Sequence, residues 1–366
     1  MGTVGHRYES TNPATLITIT GECNTIFVPG LPQLTSIEQW GYTGSSVYLF
    51  SGVAMGGPGC TGLTTIAKPD RNTFLNVTDL YGTFAGCTAL TSVTEGMFEN
   101  SKATSFTGTF AGCTNLTGIP DSMFKNCSNV TEFNGTFYGC TSLTTIGAHA
   151  FDGCSKVTTF ENLFAGSQAV SKNMESDYEI EKCIDLGLQK QYEVMPVSAP
   201  AEGYNSNITN IGEYAFANCS SVISFYDAFV NCHNLTSIGS YAFANCSSVK
   251  SFDRIFGGCE NLVNIGDYLF ENCTSAESFS EAFNYCIKLQ TIPEHIFDNT
   301  PNVTSFAFAF QNCTSLTGNA IPLWERVTTD TTDYIGTPDG NMCYDNCEGL
   351  TNFESIPPYW ANGIDS

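Results

Sequence analysis

The sequence repeats itself. Apolar leading residues fall at Leu63, Leu90, Leu116 and Leu143, then at Ile208, Leu235, Leu262, Leu289 and Leu316, spaced by 26 or 27 residues within each run. Most open an L-x-x-I phrase. A second phrase, V-x-x-F, follows 13 or 14 residues later, as at Val130/Phe133, Val157/Phe160, Val222/Phe225 and Val249/Phe252. After each phrase comes F-x-x-C, as at Phe110/Cys113, Phe124/Cys127, Phe216/Cys219 and Phe310/Cys313. A unit of 27 residues is too small to bury its own apolar face, so neighbouring units must stack and share a core.

The expected architecture is mainly β, a solenoid of about 27 residues per turn with two short strands per turn, capped at both ends. Gly and Asn cluster before the cysteines (Ala85-Gly-Cys87, Gly257-Gly-Cys259, Ala217-Asn-Cys219), where tight corners need them. Stacked turns lie ~4.8 Å apart, so ten or eleven of them make a rod on the order of 50 Å long.

The period breaks twice. Val170 falls at a leading position, yet the next leading residue is Ile208, 38 residues on. Residues 171–207 therefore read as an acidic excursion that ends in Met195-Pro-Val-Ser-Ala-Pro200, with a short helix expected between Asp177 and Tyr192. After Leu316 the motif lapses, and 319–366 reads as a C-terminal cap holding Trp324 and Trp360. Caps cover the strand edge that a solenoid end exposes. Residues 1–30 read as an N-terminal strand or cap, since Leu16-Ile-Thr-Ile-Thr20 alternates with period two. The solenoid proper is 31–318.

Charge narrows the partners. There are 36 acidic and 13 basic residues, a net charge of -23. That balance opposes nucleic-acid backbones and anionic membranes. No apolar run is long enough to insert directly into a membrane as a helix. Nor is there a phosphate-binding, dinucleotide-binding or serine-nucleophile motif, so no enzyme and no cofactor is expected.

The phrases resemble the BspA-type leucine-rich repeats of bacterial surface proteins, with Leu235-Thr-Ser-Ile-Gly-Ser-Tyr-Ala-Phe-Ala-Asn-Cys246 matching that family's unit nearly word for word. The resemblance covers about residues 30–318. It implies a right-handed leucine-rich-repeat solenoid at the cell surface or outside the cell, associated with adhesion and with host proteins. The opening His6-Arg-Tyr8 and Leu16–Thr20 look like the last strand of a PKD/Ig-like module, so an upstream module and a signal sequence are expected to precede this stretch. The reading that results is a non-catalytic extracellular interaction or adhesion module that binds a host extracellular protein or glycan. A structural spacer and a surface glycan hydrolase are the alternatives.

The chain holds 17 cysteines. Equivalent thiols one turn apart point the same way at the stacking distance, whereas disulfides need convergent Cβ atoms ~3.8 Å apart. Free buried thiols are expected, with Cys343/Cys347 as the candidate exception. Asp330, Asp333, Asp339 and Asp345 are a weak calcium candidate, since acidic loops are usually just solvated; no metal is expected. His149, Tyr214, Tyr241, Tyr268 and His295 share one slot, two before the phenylalanine. That row is either an aromatic stripe for stacking sugars or binding a protein, or partly buried cover for the core. Glu179 and Tyr192 are candidates on the excursion, because insertions in repeats often map to a binding face. Asn-x-Ser/Thr triplets such as Asn218-Cys-Ser220 are by-products of the repeat and show no glycosylation.

Overall fold

The computed structural model describes residues 23–27, 36–37, 43–48, 60–68, 77–160, 163–164, 207–327 and 337–363. Nine short strands are found there: β1 (Cys23–Phe27), β2 (Ser36–Ile37), β3 (Thr43–Tyr48), β4 (Thr65–Ile66), β5 (Gly118–Ile119), β6 (Thr145–Ile146), β7 (Asn210–Ile211), β8 (Ser237–Ile238) and β9 (Asn264–Ile265). All pair in parallel: β1 with β3, β2 with β4, and β5 to β9 in sequence order in one sheet. In the five-stranded sheet each isoleucine aligns with the next, and all five are buried. The leading phrase is thus the strand that the L-x-x-I motif predicts. The second phrase pairs through single residues, for example Ser224 to Ser251 to Ser278 to Ser305. The Leu16–Thr20 strand predicted near the N-terminus lies outside the described residues.

Threonines beside the strands satisfy carbonyls of the neighbouring turn. Thr117, Thr144, Thr209 and Thr236 Oγ1 each donate to the same slot one turn back, at 3.1, 3.0, 3.1 and 2.9 Å.

The F-x-x-C segments form a different ladder. Amides alternate between two destinations. Thr83, Ala85 and Cys87 N–H donate to the carbonyl three residues back in their own turn. Gly82, Phe84 and Gly86 N–H donate to Thr107, Thr109 and Ala111 O in the next turn. This alternation needs left-handed backbone at two points. The residue before the cysteine has φ of 74° at Gly86, 58° at Asn126 and 58° at Asn218. Glycine reaches that region freely and asparagine tolerates it, which is why those two residues crowd the corners.

Phenylalanines fill the interior in three columns. One runs Phe98, Phe124, Phe151, Phe216, Phe243, Phe270, Phe297, and a second runs Phe106, Phe133, Phe160, Phe225, Phe252, Phe279, Phe306. Rings stack along each column and meet edge-on between columns, as for Phe124 and Phe133 at 5.0 Å and 70°. The third column, from Phe84 through Phe110 and Phe137, reaches Phe283, Phe310 and finally Tyr344.

The expected place of Val170 needs correction. Thr145 pairs directly with Asn210 and Ile146 with Ile211. Phe160 stacks on Phe225 at 5.9 Å. The turn led by Leu143 therefore abuts the turn led by Ile208, and no turn led by Val170 stands between them. Paired threonines here are 65 residues apart, against 27 in the next turn, so 38 extra residues lie between these two turns in sequence while their register is kept.

At the other end, Met342 and Tyr344 N–H, which in interior turns would reach the next turn, donate to Tyr359 and Trp360 O at 3.0 and 2.9 Å. These acceptors belong to the short helix Pro358–Asn362. Trp360 lies flat against Gly340, where any Cβ would overlap the indole. Asp339 accepts the Tyr359 hydroxyl and Asp345 the Gln311 amide. No cluster of metal ligands occurs among the described residues, while Asp330 and Asp333 lie outside them.

The fifteen cysteines from Cys60 onward whose side chains are described are buried and form no disulfide. That includes Cys343 and Cys347, the pair singled out as an exception; Cys347 instead donates to Phe310 O at 3.1 Å. The same bond recurs along the stack, Cys113 to Phe84 O, Cys140 to Phe110 O and Cys246 to Phe216 O, each at 3.2 Å. Phe110 O accepts twice, from Cys113 N–H at 3.1 Å and from the Cys140 thiol. The thiol is thus a small apolar filler that also supplies a buried carbonyl with its second donor.

Cys140→Ala is expected to cost about 1–2 kcal/mol by removing buried volume and that donor. Cys140→Ser, which keeps a donor, is expected to cost less; equal losses in denaturant titrations would show that the bond contributes nothing. Burial also pushes the Cys87, Cys127, Cys140 and Cys246 thiols from 9.0 up to about 12. The native state then holds protons that the unfolded chain releases, so this contribution is complete below about 8.5, the ordinary thiol value, and is lost as pH rises towards 12. Unfolding free energy is expected to fall steadily through that window, with a shallower slope in Cys140→Ala.

Candidate functional site

The row slot sits in an F-x-x-C turn, four residues before the residue that precedes the cysteine. Its amide donates to the next turn, His149 to Glu213 O at 2.8 Å and Tyr214 to Ser240 O at 3.1 Å. The slot takes left-handed backbone in most of these turns, though not at His295. Gly96 fills it with φ 59° in an earlier turn, but His149, Tyr214, Tyr241 and Tyr268 hold φ of 54–58° there. A side chain in that region costs about 1 kcal/mol or more each.

Repetition brings these side chains together. His149, Tyr214, Tyr241, Tyr268 and His295 form one column of rings, with centroids 4.8–5.0 Å apart and planes within 3° of parallel. All five are half-buried. Each ring face inside the column is covered by the neighbouring ring, so what meets solvent is ring edges and phenol oxygens. The stripe expected for stacking sugars is therefore present as a row but has no free internal faces.

Carboxylates flank it. His149 Nδ1 lies 2.8 Å from Asp152 Oδ2, and His295 Nδ1 lies 3.0 Å from Asp298 Oδ2. Asp267 Oδ1 accepts the amides of Tyr268 and His295. The three phenols are pushed above the ordinary tyrosine range. Loss of hydration is the main cause, and carboxylates including Glu213, Asp267 and Glu271 add to it. The hydroxyls stay protonated, as donors, at any physiological pH.

Beside the column lies a shallow groove of about 630 Å³. Four successive turns line it with Gly153 and Ser155, Asn218 and Ser220, Asn245 and Ser247, Asn272 and Thr274. The asparagines form a polarised ladder. Asn272 Nδ2 donates to Asn245 Oδ1 at 3.0 Å, Asn245 Nδ2 to Asn218 Oδ1 at 3.0 Å, and Asn218 Nδ2 to Asp152 Oδ1 at 2.7 Å. The signal for this groove stands in the sequence as Asn218-Cys-Ser220, Asn245-Cys-Ser247 and Asn272-Cys-Thr274. Considered only as glycosylation triplets, they give no hint that the flanking residues point outward while the cysteine points in. Of the seven candidate residues, five come together in the column. Glu179 and Tyr192 lie outside the described residues.

The sequence profile of the BspA-type leucine-rich repeat region matches six copies across residues 63–169 and 203–351. No curated protein matches the chain. Among solved structures it is similar to a leucine-rich repeat protein from Bacteroides ovatus, at 18% identity over 82% of this chain and 83% of that one, with a TM-score of 0.23. A leucine-rich cell surface protein from Faecalibacterium prausnitzii matches at 19% identity over 76% and 86%, with a TM-score of 0.21. The functional domain of InlJ from Listeria monocytogenes, described as including a cysteine ladder, matches at 12% identity over 83% and 65%, with a TM-score of 0.24. Superposition over the whole chains is poor in all three, so the assignment rests on the repeat. That repeat accounts for well over half of the residues, and the chain belongs to the BspA-type leucine-rich repeat family.

Proposed function

We propose that this chain is a non-catalytic interaction or adhesion module of the bacterial cell surface, binding a host extracellular protein or glycan through the face built by the aromatic column and its groove. The observation that carries the reading is the backbone at the column. Gly96 fills the slot without a side chain and Ser122 with a small one, yet four successive turns place a ring there at left-handed φ. Strain kept in consecutive turns, with no gain to the core, points to a role outside the core. An extended surface of stacked turns suits a large partner. The groove lining holds no carboxylate, imidazole or thiol, so it offers donors and acceptors without an acid or base to activate its hydroxyls. On this reading the chain works outside the cell, and the excursion around Glu179 and Tyr192 is a second contact region.

The test uses the purified chain against matrix proteins, mucins and a glycan array, beside Tyr241→Gly. Glycine loses ring stacking worth about 0.5–1.5 kcal/mol but relieves the backbone strain, at roughly 1 kcal/mol or more, so stability is expected to change by no more than about 1 kcal/mol. Binding is expected to fall at least tenfold. A partner bound equally well by Tyr241→Gly and Tyr268→Gly would remove the column from the site.

A further inference from the structure

We infer that the groove beside the column takes a neutral, linear polysaccharide lying parallel to the solenoid axis, one sugar residue per turn. The inference rests on reading this face as a binding surface and adds the class of ligand.

The first argument is translation. The groove presents the same groups once per turn, at about 4.8 Å. A ligand that uses every turn must repeat at that distance. An extended peptide advances ~3.3 Å per residue and ~6.6 Å per side-chain repeat, and an α-helix returns a side chain to the same face every ~5.4 Å on average, in uneven steps of three and four residues. Each falls out of step within two or three turns. An extended chain of pyranoses advances by about one ring per residue, a step of the same order as the rise of a turn.

The second argument is chemistry. The lining is uncharged in a chain whose net charge is -23. Each ladder asparagine spends one amide proton on its neighbour and keeps a second for a ligand. One residue beyond the adjacent cysteine a serine or threonine adds a hydroxyl, as at Ser220 and Ser247. In three of the four turns one amide donor and one donor–acceptor hydroxyl form a set suited to the vicinal hydroxyls of a sugar, and the first turn offers the Ser155 hydroxyl beside Gly153. Carboxylates around the column, including Asp267 and Glu271, disfavour sulfated, sialylated or phosphodiester polymers.

The third argument is the column itself. Its ring faces are closed by stacking, so it cannot act as a platform under a sugar. It can act as a rim of phenol hydroxyls along one side of the groove. The rim occupies the same four turns as the groove, His149 beside Gly153 and Tyr214, Tyr241 and Tyr268 beside Asn218, Asn245 and Asn272.

The experiment titrates the full chain with linear oligosaccharides of two to six residues, displayed as a neutral series of varied linkage and an anionic series that includes heparin fragments. Neutral ligands are expected to bind, each added residue raising affinity several-fold up to four residues, with a plateau beyond. Ser247→Trp, which fills the groove at its centre, is expected to abolish that binding with the melting temperature unchanged. Preference for the anionic series, or neutral binding untouched by Ser247→Trp, overturns the inference. Silence to every sugar together with a protein partner lost in Tyr241→Gly would overturn the glycan and leave the interaction reading standing. Silence to sugars, matrix proteins and mucins alike would remove both.

Discussion

Every column in this molecule follows from one hydrogen-bonding constraint. In the F-x-x-C turns alternate amides reach into the next turn, and the strands and single-residue bridges do the same elsewhere. Each residue is thereby fixed over its counterpart one period away, at roughly the spacing of β-strands. A choice made once in the repeat becomes a row. Like charges in a row repel by about 1 kcal/mol per contact even in water. Low charged content, 13% of residues, is the natural response. One acidic slot alternates in sign, with Asp227, Arg254 and Glu281 in successive turns and Arg254 Nε 3.3 Å from Asp227 and 4.0 Å from Glu281. Elsewhere asparagine, serine and threonine fill the rows, because they bond to their own copies.

Inside the stack the same rule selects phenylalanine and cysteine. A phenylalanine in a column meets its copies face to face and the adjacent columns edge-on, the two arrangements open to rings at these distances. Cysteine suits the corner because its thiol is small, tolerates burial and can reach the phenylalanine carbonyl one turn back. Thr300 shows what changes when the thiol is absent. Its hydroxyl bonds to Phe297 O in its own turn at 2.8 Å, and the Arg326 guanidinium, over the Phe306 ring, donates to Thr300 and Phe297. Phe297 O lies one turn back from Arg326, so the guanidinium stands in for the thiol of the following turn, a costlier solution than a sulfur.

Period, inward-facing residues and free thiols were all legible, because they depend on residue type at a fixed spacing. Less legible was anything that depends on which turn touches which. The spacing puts a leading residue at Val170, but the ladder joins Thr145 to Asn210, since register is set by hydrogen-bonding partners and an insertion at a corner does not interrupt them. Cys343 and Cys347 looked like a pair because they are close in sequence. Yet Tyr344 stacks on Phe310 and places Cys347 under its carbonyl, which gives that sulfur the same role as its fellows. In the aromatic row the residues were legible and the orientation was not. Whether ring faces or ring edges meet solvent depends on χ angles, and no periodicity reports those angles.

A uniform scaffold makes its exceptions informative. Three of the turns that line the groove could have used glycine at the column slot, as Gly96 does, and saved the backbone strain. They use tyrosine instead, and two histidines flank the tyrosines in the adjoining turns. Stacking between half-exposed rings recovers part of that cost, though a sandwich of parallel rings is not the best arrangement they could adopt. What the rings add that glycine lacks is a row of polar edges at a fixed height above a neutral groove, repeated at the rise of the turn. A row that matches its neighbouring groove turn for turn is what the proposed ligand, lying across all of those turns at once, would use.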